Sequence, residues 1–107
     1  MITIDLDRKA FENDFSFRSC FQYVIEKLQF MFPDKKIMYR TSSNGGYHIK
    51  VMGIPNDYAL RELLGDDPQR LELDKIREPE GLPINVLFDQ KKYPDGTIKK
   101  AGRWEIA

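Results

Sequence analysis

The sequence lacks the residues and runs that define several common classes of protein. It has a single cysteine, Cys20, which excludes an internal disulfide and a cysteine-based zinc site. No run approaches the roughly 18 apolar residues that a membrane-spanning helix needs, so we expect no association with a membrane. The first residues, MITIDLDRK, lack the apolar region of a signal peptide. We therefore expect an intracellular, cytoplasmic protein.

Net charge is absent as well, because 17 Lys and Arg balance 17 Asp and Glu. A neutral chain does not indicate nucleic-acid binding by its overall charge, so any such surface has to be local. One basic cluster is present near the C-terminus, opposed only by Asp95. Its members are Lys91, Lys92, Lys99, Lys100 and Arg103. The cluster fits a solvated hairpin as well as a phosphate-contacting arm.

The 107 residues are expected to form one domain, residues 1–107, because the chain is large enough for one core and too small for two. Alternation of apolar and polar residues predicts strands, and Asn44-Gly45 between two such runs predicts a hairpin. The predicted strands are 2–7, 37–42, 47–52, 84–89 and the C-terminal GRWEIA, with a turn at 94–96.

Helical spacing of apolar residues predicts a helix from residue 17 to 31, capped by Ser16 and stopped by Pro33. A short helix, YALRELL, is expected after a cap at Asn56 or Asp57, and Gly65 closes it. A further helix begins at Asp67-Pro68 and runs towards Arg77, with Arg70 and Asp74 spaced to form an ion pair.

The predicted order is β-α-β-β-α-β plus a C-terminal hairpin strand. This order predicts an α+β fold of the ferredoxin-like or RRM-like type, with a mostly antiparallel sheet of four to five strands and helices on one face.

Strand alternation places the polar residues of four strands on the face away from the helices. The predicted members of this open face include Asp5, Asp7, Arg40, Ser42, His48, Lys50 and Asp89. An RRM sheet that stacks bases carries aromatic residues on this face, whereas here the aromatic residues are predicted to point inward. Carboxylates on an open face repel phosphate unless a cation lies between them, and hard ions such as Mg²⁺ or Mn²⁺ take carboxylate and phosphate oxygens together. A polar outer face without any ligand is the alternative interpretation.

Three motifs in order resemble the catalytic core of the archaeo-eukaryotic primase superfamily, which includes the polymerase domains of bacterial end-joining ligases. The first is Ile4-Asp5-Leu6-Asp7, a strand with two aspartates. The second is 41–48, TSSNGGYH, in which a serine precedes a glycine turn and a histidine. The third is Leu87-Phe88-Asp89, an aspartate that ends a strand. The resemblance covers residues 1 to about 90.

This resemblance implies a nucleotidyltransferase in which Asp5, Asp7 and Asp89 hold Mg²⁺ or Mn²⁺ and carry the catalysis. Ser42 and His48 would contact the triphosphate of an incoming nucleotide. The glycine turn, through Gly46, would bring backbone N–H groups to the phosphates, and Arg40 and Lys50 would assist.

The partners implied are a nucleoside triphosphate, a DNA or RNA primer-template and other replication proteins. Compact members of this kind suit archaeal plasmids and viruses. The chain departs from the family in its short length and in its Lys91-Lys92 pair, which stands where an Asn-rich nucleotide-binding stretch is usual.

Two other functions remain open at this point. One is a non-catalytic nucleic-acid-binding module of a replication system, which would use the basic cluster. The other is a small ferredoxin-like metal nuclease. A rolling-circle nickase needs paired histidines, and the presence of one histidine argues against it.

Overall fold

The computed structural model describes all 107 residues of the chain. Four strands form an antiparallel sheet in the order β1-β3-β2-β6, and β4 and β5 form a separate two-stranded hairpin. The predicted α+β class, with a mostly antiparallel sheet of ferredoxin-like arrangement, is confirmed. The strands are β1 (Ile2–Leu6), β2 (Ile37–Thr41), β3 (Tyr47–Val51), β4 (Gln90–Lys92), β5 (Ile98–Lys100) and β6 (Glu105–Ile106).

Three α-helices accompany the sheet: α1 (Asp14–Met31), α2 (Tyr58–Leu63) and α3 (Pro68–Arg77). Short 3₁₀ turns lie at Arg8–Ala10 and Glu78–Glu80. None of these helices is both long and apolar enough to cross a lipid bilayer.

The caps of the helices mostly follow the predictions. Asp57 caps α2 by accepting a hydrogen bond from the N–H of Leu60, and Asp67 caps α3 in the same way. The predicted cap of α1 is wrong, because Asn13 accepts the hydrogen bond and Ser16 supplies the N–H. Asn13 has the extended backbone of a cap, so α1 begins three residues before the first apolar position of its stripe.

One face of the sheet and the apolar stripe of α1 form the core. The inward residues of β1, Ile2, Ile4 and Leu6, are almost completely buried. They meet Val24 and Leu28 of α1 within one apolar cluster. Burial of large aliphatic side chains contributes about 1.5–3 kcal/mol each, so this face is the main source of stability.

Residues 84–89 do not form the predicted strand, and this prediction is wrong. Asn85 has a left-handed backbone with φ of 60°, and its side chain is 6% exposed. Its amide accepts from the N–H of Thr3 at 3.1 Å and donates to the carbonyl of Met1 at 3.0 Å. The side chain of Asn85 therefore bonds two backbone groups at the edge of β1 where the sequence predicted a whole strand, and Asp66 accepts from the N–H of Asp5 further along the same edge.

The second face of the sheet is consequently covered in part, although the sequence predicted it to be open. Segment 86–91 borders the same cavity as Asp5 and His48 on this face. Arg40 is 6% exposed and His48 is 5% exposed. The prediction that His48 is an exposed residue is therefore wrong, because Arg40 bonds its imidazole and residues 86–88 border the same cavity.

Candidate functional site

A cavity of about 380 Å³ opens over the polar face of the sheet, near the C-terminal end of β1. This volume lies within the range of small-molecule sites. Its polar lining includes Asp5, Asp7, Ser42, Ser43, Asn44, His48, Asp67, Arg70 and Lys91, and its apolar lining is Val86, Leu87 and Phe88. The first two sequence motifs thus meet at one place, although 34 residues separate Asp7 from Ser42, with α1 between them. The third motif contributes Leu87 and Phe88 but not its aspartate.

Three side chains form a row across the sheet at the floor of this cavity. Asp5 of β1 lies opposite His48 of β3, and His48 lies opposite Arg40 of β2. The Nε of Arg40 donates to the Nδ1 of His48 at 3.0 Å, and the Nε2 of His48 lies 3.8 Å from an oxygen of Asp5. Since Nδ1 accepts, the proton of the neutral imidazole belongs on Nε2, on the side of Asp5.

The row is only partly solvated, and this perturbs both titrating groups. Burial raises the pKa of Asp5 to about 6, and Asp66, Asp67 and Asp7 add to the rise, whereas Arg70 opposes it. Burial lowers the pKa of His48 to about 4, with a further contribution from the Arg40 cation. At neutral pH, His48 is therefore an uncharged donor, and Asp5 is an ionised carboxylate at a cost in solvation.

Arg40 and Lys50, which the sequence assigned to nucleotide binding, do not line the cavity. The guanidinium of Arg40 is occupied by His48, by the carboxylate of Asp89 at 2.7 Å and by the carbonyl of Phe88. The ring of Trp104 lies 4.5 Å from that guanidinium and 4.0 Å from the Nζ of Lys50. Both cations therefore pack against an aromatic ring and stabilise the fold of this face.

Asp89 is not among the residues that line the cavity. Its side chain is 86% exposed and pairs with Arg40. The predicted cluster of three carboxylates is not formed, since no group of three or more His, Cys, Asp or Glu residues is arranged to hold a metal ion. Asp89 instead fixes the end of segment 84–89 to β2.

The glycine turn has the predicted hairpin geometry but uses its glycines differently. Gly45 has φ of 81° and donates to the carbonyl of Ser42. The N–H of Gly46 donates to the hydroxyl oxygen of Ser42 at 2.9 Å. Both glycine N–H groups are thus used within the turn, and Ser42, Ser43 and Asn44 are the turn residues that line the cavity.

Gly46 has a different role from the one that the sequence suggested. A Cβ atom there would lie 2.2 Å from the carbonyl oxygen of Leu6, so only glycine lets the turn pass the end of β1 this closely. This close approach holds Ser42 and His48 beside Asp5 and Asp7.

The sequence analysis missed two charged residues of the cavity, Asp67 and Arg70. Arg70 was expected to pair with Asp74, which is wrong: Arg70 donates to Asp66, and Asp74 accepts from Arg61. The sequence did contain an indication of this ionic network. Only one of the two aspartates before Pro68 is needed to cap α3, and Asp67 is that cap. The other aspartate, Asp66, is therefore free to accept hydrogen bonds from Arg61 and Arg70.

The basic cluster is exposed on the hairpin of β4 and β5 and on the chain that follows it. Its Lys91 lines the cavity. Between the two strands, the hydroxyl of Tyr93 donates to the side chain of Asn44 at 2.8 Å. The hairpin is thereby attached to the turn that borders the cavity.

Asp5 and Asp7 fit a divalent cation that arrives with a phosphate ligand. Mg²⁺ is commonly held by one or two carboxylates together with substrate phosphates. The raised pKa of Asp5 reflects a carboxylate with too little compensation, which a cation beside it would supply. Asp89 does not fit such a site in this arrangement.

Comparison of the chain with protein-family models, with curated proteins and with solved structures finds no match.

Proposed function

We propose that the protein is a metal-dependent nucleotidyltransferase of the primase-polymerase type that acts in DNA replication or repair. The observation that carries the proposal is the shared cavity, which Asp5 and Asp7, His48 and the turn at residues 42–44 all line. Phosphoryl transfer depends chiefly on positioning and on neutralising the charge of the phosphates. A cavity that combines two carboxylates suited to a divalent cation with neutral and cationic donors supports this proposal.

Each residue has a distinct part in this proposal. Asp5 and Asp7 would hold Mg²⁺ or Mn²⁺, which supplies charge neutralisation at the phosphates. His48 keeps its proton on Nε2 at neutral pH and offers it to a phosphate oxygen. The hydroxyl of Ser42 accepts from Gly46 and retains its own proton as a donor. Arg40 holds the imidazole of His48 in this orientation.

Extension of a labelled primer on a template, with Mn²⁺ and nucleoside triphosphates, tests the proposal. The variant Asp7→Asn should abolish extension, because it removes a metal ligand. It should keep the fold, since asparagine also serves as a cap for the turn at Arg8–Ala10. Asp34→Asn is the matched control, because Asp34 is exposed and does not line the cavity. Absence of extension by the wild type contradicts the proposal, and shortening of the primer identifies a metal nuclease instead.

A non-catalytic nucleic-acid-binding module is the second candidate, and the position of Asp89 favours it. The family-like third aspartate is held by Arg40, while the basic hairpin is exposed. In this case Lys99, Lys100 and Arg103 bind phosphates of the nucleic-acid backbone. Replacement of all three by alanine should weaken binding of every sequence alike and lower the salt dependence by about one unit of slope for each phosphate that is no longer neutralised. Unchanged binding would show that the hairpin is only solvated.

A further inference from the structure

Arg70 is a cation of the cavity that is held in place before any ligand binds. It lies in the first turn of α3, and its side chain is 15% exposed. Its guanidinium donates to a carboxylate oxygen of Asp66, to the hydroxyl of Thr3 at 2.6 Å and to the carbonyl of Val86 at 3.3 Å. These hydrogen bonds use three of the five N–H donors of an arginine, so two donors have no partner in the protein.

The support behind Arg70 is a buried ionic network. The side chains of Asp66 and Arg61 are both fully buried, and Asp66 accepts from Arg61, from Arg70 and from the backbone N–H of Asp5. Arg61 also pairs with Asp74, which is 7% exposed. Two arginines and two aspartates balance in charge, and a fixed guanidinium loses little conformational entropy when it binds a ligand.

The surroundings of Arg70 indicate which ligand chemistry it serves. It lines the same cavity as the two carboxylates of β1 and as the turn at residues 42–44. Two of its N–H donors have no partner in the protein, so the guanidinium can bind the oxygens of a further anion. A planar guanidinium with free donors matches the geometry of a phosphate group better than an ammonium does.

We propose that Arg70 is a phosphate-binding residue of this cavity, positioned by Asp66 and Thr3. The inference rests on the proposed function, since it names a further residue of the same site. The phosphate belongs either to a nucleoside triphosphate or to the end of a nucleic-acid strand. Both present the same oxygens to the guanidinium, and an experiment with separate ligands distinguishes them.

The test compares wild type with Arg70→Gln and Arg70→Lys by calorimetric titration in the presence of Mn²⁺. The probes are a nucleoside triphosphate, the same nucleoside without phosphate, and an oligonucleotide with a 5′-phosphate or a 5′-hydroxyl. Arg77→Gln is the matched control, because it makes the same change two turns further along α3, outside the cavity. Thermal unfolding of each variant accompanies the titrations.

We expect Arg70→Gln to bind the phosphate-bearing ligand about 10- to 100-fold more weakly, the loss typical of a hydrogen bond to a charged group. Arg70→Lys should recover part of this loss, because it keeps the charge but not the planar fork. The nucleoside and the 5′-hydroxyl strand should bind alike to all variants. The phosphate-bearing ligand whose affinity falls in Arg70→Gln identifies the source of the phosphate. If Arg70→Gln does not fold, Arg70→Lys should still show a loss confined to phosphate ligands.

Phosphate affinity within twofold of wild type in both variants overturns the inference. An equal loss for the nucleoside overturns it too, because Arg70 would then only support the shape of the cavity. A wild type that binds phosphate through Arg70 but does not extend a primer leaves the inference standing and contradicts the nucleotidyltransferase. A wild type that binds no phosphate ligand contradicts both.

Discussion

The opposed titrations of Asp5 and His48 predict an unusual pH dependence of stability. The pKa of Asp5 is about 6 in the folded protein, whereas that of an ordinary aspartate is 3.8. As the pH falls, the folded state therefore binds this proton before the unfolded chain does. Acidification from about pH 6 to pH 3.8 therefore favours folding through Asp5. His48 titrates with a pKa near 4 against an ordinary 6.5, so the unfolded chain is protonated first. Stability from the neutral imidazole is complete above pH 6.5 and is lost as the pH falls towards 4.

The contribution of His48 is the larger of the two. One unit of pKa corresponds to about 1.4 kcal/mol, so each shift of about two units gives at most about 3 kcal/mol. The carboxylate of Asp5 is 30% exposed, and solvent screening reduces its share to about 1–2 kcal/mol. In wild type the Asp5 term therefore offsets only part of the stability that is lost through His48 between pH 6.5 and pH 4.

The variants Asp5→Asn and His48→Asn separate the two terms. Asp5→Asn should lose stability on acidification more steeply than wild type, and His48→Asn should lose it less steeply. Asparagine at position 48 keeps an acceptor near the place of Nδ1, so Arg40 retains its partner. Urea unfolding between about pH 7 and pH 4, with a chelator present, measures the free energy of unfolding of each protein. Equal pH slopes in wild type and Asp5→Asn would refute this interpretation of the cavity floor.

Two further predictions concern the parts that support the cavity. Arg61→Met should lower the free energy of unfolding by about 3–5 kcal/mol, because it leaves the buried carboxylate of Asp74 without an ion-pair partner and that of Asp66 with Arg70 alone. The exposed Arg18→Met should change it by less than about 0.5 kcal/mol. Chemical denaturation of both variants measures the difference, and similar values would contradict the prediction. Gly46→Ala should displace the turn from β1, and it should therefore weaken triphosphate binding and lower the free energy of unfolding. Calorimetric titration measures the binding. A titration that matches wild type would show that the turn has room for a Cβ.

Much of the arrangement follows from local sequence. Alternation and the Asn-Gly pair locate β2, β3 and their turn, and the Asp57 and Asp67 caps locate α2 and α3. The register of β1 on β3 then brings Asp5 beside His48. These features depend on neighbours within a few residues, or on a face whose burial fixes the register.

Two errors are local, the cap of α1 and the partner of Arg70, whereas the larger errors involve groups that are distant in sequence. Residues 84–89 alternate as a strand should, but the side chains of Asn85 and Asp66 bond the backbone groups at the edge of β1 instead. Asp89 forms a salt bridge with Arg40, which lies 49 residues earlier in the chain. No local sequence pattern predicts that this salt bridge holds Asp89 outside the cavity. Arg61 has the pattern of a surface residue on a short helix, and its complete burial depends on Asp66 and Asp74 being placed around it.

The most direct test of the nucleotidyltransferase site is a crystal structure of the protein with Mn²⁺ and a non-hydrolysable nucleoside triphosphate. The site predicts anomalous density for Mn²⁺ beside the carboxylates of Asp5 and Asp7. It also predicts triphosphate oxygens within hydrogen-bond distance of the Nε2 of His48, the hydroxyl of Ser42 and the guanidinium of Arg70. Density for the metal and the nucleotide elsewhere on the protein, with this cavity holding only water, would contradict the account.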